Sequence, residues 1–191
     1  MDLDAASHAV KQLLEALQID EGEHTADTPS RVARAWSDML WGYTEVPDDH
    51  LDVTFPAPTD AGLIVQAGID VQSTCAHHLL PFGGHATVAY RPEAGQRIVG
   101  LSKLTRLVYG YSARCQVQEQ IGAQVVDAIM AKLHPASAVC LLSCSHDCIR
   151  LRGARSPTSL TTTLATRGDP TVADLQLVRD LHVSRGSTIR C

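Results

Sequence analysis

The hydrophobic positions of the chain follow a helical period first and a strand period later. Over residues 8–18 the apolar residues recur at spacings of three and four, which is typical of an amphipathic helix. A second helix is predicted to begin near Pro29, because proline suits the first helical turn and Thr28 can cap it. Residues 44–62 carry several prolines and an acidic pair, which favours a long loop.

Strand patterns begin after that loop. Over residues 63–73 apolar odd-numbered positions alternate with polar ones, which predicts a half-buried strand. The same alternation over 85–91 predicts a second strand, with Gly83-Gly84 as turn residues before it. The remaining pattern predicts helices over 102–114 and 118–133, strands over 138–151 and 159–166, and a short helix over 174–182. This order indicates an α+β protein with an antiparallel hairpin on each side of a helical pair.

Length and composition narrow the class of protein. A chain of 191 residues with 45% hydrophobic residues suits one ordinary domain, and a net charge of −5 argues against a nucleic-acid-binding protein. No apolar run approaches the ~20 residues that span a bilayer, and the acidic N-terminus lacks a signal-peptide pattern, so a cytoplasmic protein without a membrane partner is predicted. Reduced thiols or metal ligands, rather than disulfides, are therefore predicted for the six cysteines. These are Cys75, Cys115, Cys140, Cys144, Cys148 and Cys191.

The densest candidate chemistry begins with Cys75-Ala76-His77-His78. Thiolate and imidazole are the ligands that zinc prefers, and a catalytic zinc has three protein ligands with a fourth position for water. Cys75 and His78 lie three residues apart at the predicted end of a strand, where a turn can bring both side chains to one point. His77 then faces elsewhere and remains free for proton transfer.

A second segment, Cys144-Ser145-His146-Asp147-Cys148, supplies the remaining ligand. On a continuous strand Cys144 and Cys148 lie ~13 Å apart, so both cannot bind one ion unless the strand breaks. The spacing does not choose between the two cysteines. His146 is predicted to stand beside the site as a second acid–base group. A closed structural zinc that uses both cysteines, or ordinary buried thiols without metal, are the alternatives.

Basic residues cluster where an anion could bind. Lys103 and Arg106 lie on one side of the first turn of a predicted helix, an end that cations normally avoid. Two cations there indicate an anion to neutralise, although a solvated basic face is the alternative. Further arginines follow the second cysteine segment or share a face of the second helix: Arg150, Arg152, Arg155, Arg31 and Arg34.

Glu119 lies in the first turn of the next predicted helix. It can simply complement the helix dipole, or, as a buried carboxylate, accept two N–H bonds from a guanine edge. The pattern does not separate these interpretations.

Taken together, these segments resemble GTP cyclohydrolase I in sequence, order and separation. The matching segments are TPSRVARAW, CAHHLLPFGGHATVAYRP, GLSKLTRLV, ARCQVQEQIG and CIRLRGARSPTSLTTT. The resemblance extends from about Thr28 to Thr163 and is specific, because several independent motifs coincide.

The resemblance implies roles for the matching residues. It assigns Cys75, His78 and Cys148 as zinc ligands and so selects Cys148 over Cys144. It places His77, His146 and Gln118 in the catalytic set, with Glu119 as the guanine anchor. The ribose and triphosphate contacts that it implies are Ser102, Lys103, Arg106 and Arg152, with Arg31 and Arg34 where further phosphate-binding residues are expected.

The implied fold is the tunnelling fold (T-fold), an antiparallel sheet with a helical pair on one face and an N-terminal helical extension. We expect a single domain over residues 1–191, with a helical part over 1–45 and a catalytic core over 60–170. The implied assembly is a toroidal homodecamer with active sites at subunit junctions. The implied reaction is the zinc-dependent hydrolysis of the guanine imidazole ring of GTP to 7,8-dihydroneopterin triphosphate and formate, the entry to pterin and tetrahydrofolate biosynthesis.

The chain departs from the family pattern at four positions. Ala76 replaces the usual glutamate, Gln120 the usual arginine, and Cys115 a residue that is more often proline or aliphatic, while Asp147 is unusual between histidine and cysteine. Two alternatives therefore remain. One is a different T-fold enzyme, nitrile reductase-like or pterin-processing, with Cys115 or Cys144 as its reactive group. The other is a non-catalytic, zinc-stabilised paralogue.

Overall fold

The computed structural model describes residues 1–20 and 22–186, so Cys191 lies outside the described residues. The chain forms two compact units, Met1–Trp41 and Gly42–Cys191. The expected single domain, with parts over 1–45 and 60–170, stays a prediction. No helix within the described residues is both long enough and apolar enough to cross a bilayer.

The N-terminal unit is a pair of packed helices, as the periodicity predicts. Helix α1 spans Leu3–Ala16 and begins earlier than expected, because the Asp2 carboxylate caps it by accepting from the Ala5 amide at 3.0 Å. Helix α2 spans Thr28–Met39, with a proline in its first turn.

The predicted loop over 44–62 is partly wrong. Short 3₁₀-helices span Trp41–Thr44 and Pro47–Leu51, and strand β1 covers Thr54–Pro56. Proline is well suited to the first turn of a short helix, and Leu51 is only 1% exposed, so burial of one leucine anchors the segment. Strand β1 pairs with strand β4, Arg97–Val99, in a small antiparallel sheet.

The main sheet has the order β5-β2-β3-β6-β7. Its strands are β2 Ile64–Cys75, β3 Pro81–Arg91, β5 Cys115–Gln116, β6 Ser137–His146 and β7 Thr161–Gly168. Each pairing is antiparallel except the short parallel contact of β5 with β2. The two predicted hairpins, β2–β3 and β6–β7, are thus joined edge to edge through β3 and β6.

The two faces of this sheet are covered by different helices. Helices α3, Leu101–Ser112, and α4, Gln118–Leu133, pack on one face together with Val88 and Tyr90 of β3. Helix α6, Val172–Gly186, packs on the other face, where Val178 contacts a cluster containing Ala89. Neighbouring strand residues point to opposite faces, which accounts for the division. The predicted α+β class, with a helical pair on one face of a largely antiparallel sheet, is confirmed.

The predicted turn at Gly83-Gly84 is wrong, because both glycines lie inside β3. A Cβ on Gly84 would stand 2.0 Å from the carbonyl oxygen of Ser143 on β6. These glycines therefore allow a neighbouring strand to approach closely, and they do not change the direction of the chain.

Residues 63–71 do not place all their odd-numbered side chains on one face. Gly68 has φ +73° and the β2–β3 register shifts between Ala67 and Ile69, which is a β-bulge. The extra residue exchanges the two faces, so Val65 packs on the α6 side whereas Ile69 belongs to the core beneath α3 and α4.

A buried histidine of α6 forms hydrogen bonds to the sheet. The two ring nitrogens of His182 hydrogen-bond Thr87 Oγ1 at 3.0 Å and Ser143 Oγ at 2.9 Å, and the ring stacks on His85 at 4.2 Å. Burial first, and the neighbouring His85 second, lower the pKa of His182 from 6.5 to about 4. The folded protein therefore holds this ring neutral at neutral pH.

Because the folded pKa of His182 is depressed, its contribution to stability is complete above pH 6.5 and is lost as pH falls toward 4. We expect this residue to lower the free energy of unfolding by about 2 kcal/mol between pH 7 and pH 5. Urea denaturation across this range should show a shallower pH dependence for His182→Gln than for wild type. His8→Gln, at an exposed position of α1, should keep the wild-type dependence. Equal pH slopes for wild type and His182→Gln would contradict the assignment.

Candidate metal centre and active site

The ends of two strands bring the predicted ligands to one edge of the sheet. Strand β2 ends at Cys75 and strand β6 ends at His146, and both strands pair with β3. The start of β3 lies between them, since Pro81 is opposite Thr74 and Phe82 is opposite His146. Segments distant in sequence therefore meet at this edge.

The turn after β2 brings Cys75 and His78 together, as their spacing predicts. The Leu79 amide donates to the Cys75 carbonyl at 2.8 Å, and Leu79 adopts φ 55°. As a result Cys75 Sγ lies 3.6 Å from His78 Nδ1. Strand β5 supports the turn, because the Gln116 carbonyl accepts from the Ala76 amide at 3.0 Å.

The structure resolves which cysteine of the second segment joins this pair. The strand predicted over 138–151 is too long: it ends at His146 and is followed by a helical turn, α5, over Asp147–Arg150. This turn places Cys148 so that one ligand atom each from Cys75, His78 and Cys148 lies within 4.8 Å of the others. Cys144 stays on the strand in the core, where burial raises the pKa of its thiol to about 12.

The surroundings of Cys148 shift the pKa of its thiol in two opposing directions. Burial is the main cause that raises the pKa of the Cys148 thiol, and the nearby Cys75 thiol adds to the effect. Arg152 lowers the same pKa through its positive charge. A bound cation would favour both thiolates in the same way.

His146 is held by contacts on its ring edge and its ring face. Its Nε2 lies 2.8 Å from the Gln118 Oε1 atom, and its ring stacks on Phe82 at 4.5 Å with an interplanar angle of 8°. Burial lowers the pKa of His146, and the Glu119 carboxylate partly opposes that shift. The lowered pKa favours the neutral form of the ring, and the two contacts orient it.

A cavity of about 210 Å³ opens beside the cluster and is lined by two of its three ligands, Cys75 and Cys148. Its lining includes Cys75, His77, Phe82, Gln118, Glu119, His146 and Cys148. His77 is exposed at the turn between two of the ligands. Glu119 is also exposed, and its role as a guanine contact stays a prediction.

The predicted phosphate contacts lie on three separate elements. Ser102, Lys103 and Arg106 occupy the start of α3, and none of them belongs to the cavity lining among the described residues. Arg152 is exposed just after α5, close enough to act on Cys148. Arg31 and Arg34 are exposed on α2 of the N-terminal unit, where Arg31 pairs with Asp27 at 3.0 Å.

Sequence reasoning missed the residues that support His146. Phe82 has the ring that stacks on it, and Thr161 and Thr163 of β7 bind the Gln118 amide. The sequence does contain a signal for each: an aromatic residue after the ligand turn, and a run of threonines. Both features are ordinary in strands, so neither points to a functional site.

The fold and the site together define an α+β protein with an open cysteine–histidine cluster beside a cavity. The sequence model of the family described as GTP cyclohydrolase I matches residues 6–178. The chain belongs to the GTP cyclohydrolase I family.

Two relatives that are similar in sequence agree with this placement. The GTP cyclohydrolase 1 of Desulforamulus reducens is 44% identical over 168 residues, covering 87% of this chain and 89% of that protein. The corresponding protein of Streptomyces coelicolor is 42% identical, covering 87% of this chain and 83% of its own. A solved structure, the archaeosine synthase QueF-Like in the apo form, aligns with a TM-score of 0.45 and 14% identity over 59% of this chain and 97% of its own.

We expect Cys148→Ala to weaken binding of added Zn²⁺ at least tenfold, because one of three converging donors is lost. Competition with a chelating dye, followed by metal analysis of the gel-filtered protein, measures the change. Cys144→Ala is the matched control and should retain wild-type zinc content, since its thiol lies in the core. Equal losses in the two variants would contradict the ligand set.

Proposed function

We propose that the chain is a zinc-dependent GTP cyclohydrolase I, which opens the guanine imidazole ring of GTP and yields 7,8-dihydroneopterin triphosphate and formate. The observation that carries the proposal is the convergence of Cys75, His78 and Cys148 within 4.8 Å beside a cavity that contains two further histidines. Family membership supports GTP as the substrate.

The donor set fits zinc. Two sulfurs and one imidazole are the soft and borderline ligands that zinc favours, and no fourth cysteine, histidine or carboxylate joins the cluster among the described residues. Three protein ligands leave one position for solvent, as in catalytic sites. When bound, zinc supplies Lewis acidity that lowers the pKa of water toward neutrality, which hydration of the purine C8 requires.

His77 and His146 move protons in this proposal. His146 has a lowered pKa, is fixed by Gln118 and Phe82, and lines the cavity, so it is placed to accept a proton. His77 lies between two ligands in sequence and is open to solvent, so it can exchange protons with water. Opening of the imidazole ring and release of formate need such proton transfers.

The remaining proposed contacts bind the nucleotide. Glu119 lies at the cavity and accepts N–H donors of guanine. The ribose and triphosphate are bound by Ser102, Lys103, Arg106 and Arg152, with Arg31 and Arg34 as further phosphate contacts. The start of α3 lies outside the cavity lining of the single chain, which favours a site completed by a neighbouring subunit. A cytoplasmic homodecamer with its sites at subunit junctions, as the family resemblance implies, completes the proposal.

The rival T-fold enzyme needs a reactive thiol. Burial raises the pKa of Cys144 to about 12, and burial followed by the Cys75 thiol raises that of Cys115. Both shifts disfavour the thiolate that would act as a nucleophile. The non-catalytic rival gives His77 and His146 no role beside the cavity, which argues against it.

We expect His77→Asn and His146→Asn each to lower kcat about 10²–10⁴-fold, because each removes one proton-transfer group. Formate release and the fluorescence of the oxidised pterin, both measured with GTP, report the loss. Zinc content should match wild type in both variants. Loss of zinc together with loss of fold would show that these histidines are structural.

Removal of a cation from the start of α3 should weaken GTP binding. We expect Lys103→Ala and Arg106→Ala each to raise KM for GTP roughly tenfold or more, since each removes a charge-assisted contact to phosphate. Lys132→Ala is the control, because that lysine pairs with Asp52 at 2.6 Å. A KM change of the same size in all three variants would contradict a specific triphosphate site.

A further inference from the structure

The Gln118 side chain is buried beneath the cavity with every polar atom engaged. It is 1% exposed and begins α4. Its Nε2 lies 2.9 Å from the Thr161 carbonyl, 3.1 Å from Thr163 Oγ1 and 3.3 Å from the Leu142 carbonyl. Its Oε1 lies 2.8 Å from His146 Nε2.

These neighbours determine which way the amide points. Two of the three partners of Nε2 are main-chain carbonyl oxygens, which can only accept hydrogen bonds. The reversed amide would place its own oxygen against two main-chain carbonyl oxygens, with which it cannot form a hydrogen bond. Loss of both hydrogen bonds and repulsion between the facing oxygens disfavour that arrangement, so the NH₂ group faces β6 and β7.

The amide orientation in turn determines the proton position on His146. Because Gln118 Oε1 can only accept, the His146 Nε2 at 2.8 Å must donate. A neutral imidazole has one ring proton, so Nδ1 then has the free lone pair. Stacking on Phe82 fixes the plane of the same ring.

We propose that Gln118 is a positioning residue that holds His146 as the Nε2–H tautomer, so that Nδ1 is the atom that accepts and returns a proton during the reaction. Protonation at Nδ1 forms an imidazolium that keeps its Nε2–H bond to Gln118, and return of that proton restores the neutral ring. The tautomer follows from the contacts alone, whereas its catalytic role rests on the proposed function.

Solid-state NMR of the protein labelled with ¹³C,¹⁵N-histidine tests the tautomer directly. The protonated ring nitrogen is identified by its bonded carbon, Cδ2 for Nε2 and Cγ for Nδ1, and the spectrum of His146→Asn assigns the signal. We expect the Nε2–H tautomer in wild type and mixed tautomers in Gln118→Met. Gln116→Met is the matched control, because that buried amide binds Tyr111 and Gln124 instead of a histidine, and it should leave the His146 signal unchanged.

Kinetics separates positioning from substrate contact. We expect Gln118→Met to lower kcat about 10²-fold while KM for GTP stays within about threefold, because the residue acts through His146. A wild-type protein with the Nδ1–H tautomer, or an unchanged tautomer in Gln118→Met, would overturn the inference. If Gln118→Met does not fold, the tautomer of His146 measured in the wild-type protein is by itself the test of the inference. Absence of formate release by wild type would overturn the proposed function and leave the tautomer result standing.

Discussion

Three ligand atoms converge at one edge of the sheet because two strands end there on either side of β3. After Cys75 the chain reverses direction within one turn. After His146 a helical turn places Cys148 beyond the end of β6. Gly84 contributes from within β3, since a side chain at that position would collide with β6. The rigid sheet therefore determines the distance between the two segments, and the short turns determine the final positions of the ligand atoms.

The surroundings of the cluster influence its thiols and orient a base. Burial and the neighbouring Cys75 thiol raise the pKa of the Cys148 thiol, and because a bound cation would favour the thiolate, metal binding and thiol deprotonation would be coupled there. Beside it, the Gln118 amide joins His146 to strands β6 and β7, and Phe82 supports the ring. The opposite face of the sheet has a separate role, since α6 and His182 stabilise the fold without contributing to the cavity lining.

The predictable parts of this site are those encoded locally. Cysteine and histidine three residues apart at a strand end were enough to predict the first half of the centre, and helical periodicity predicted α3 and α4. The choice between Cys144 and Cys148 was not predictable from spacing, because it depends on where β6 stops pairing with β3 and β7. Gly83-Gly84 suggested a turn because the requirement for close strand approach comes from a distant part of the chain. The environment of His146 depends on β7, which the sequence alone does not bring near α4.

X-ray absorption at the zinc edge of the purified protein tests the open metal centre most directly. The account predicts one zinc per chain with two sulfur ligands at ~2.3 Å and two lighter ligands at about 2.0–2.1 Å, one from His78 and one from solvent. A third sulfur ligand, or protein that binds no zinc when the metal is supplied, would contradict it.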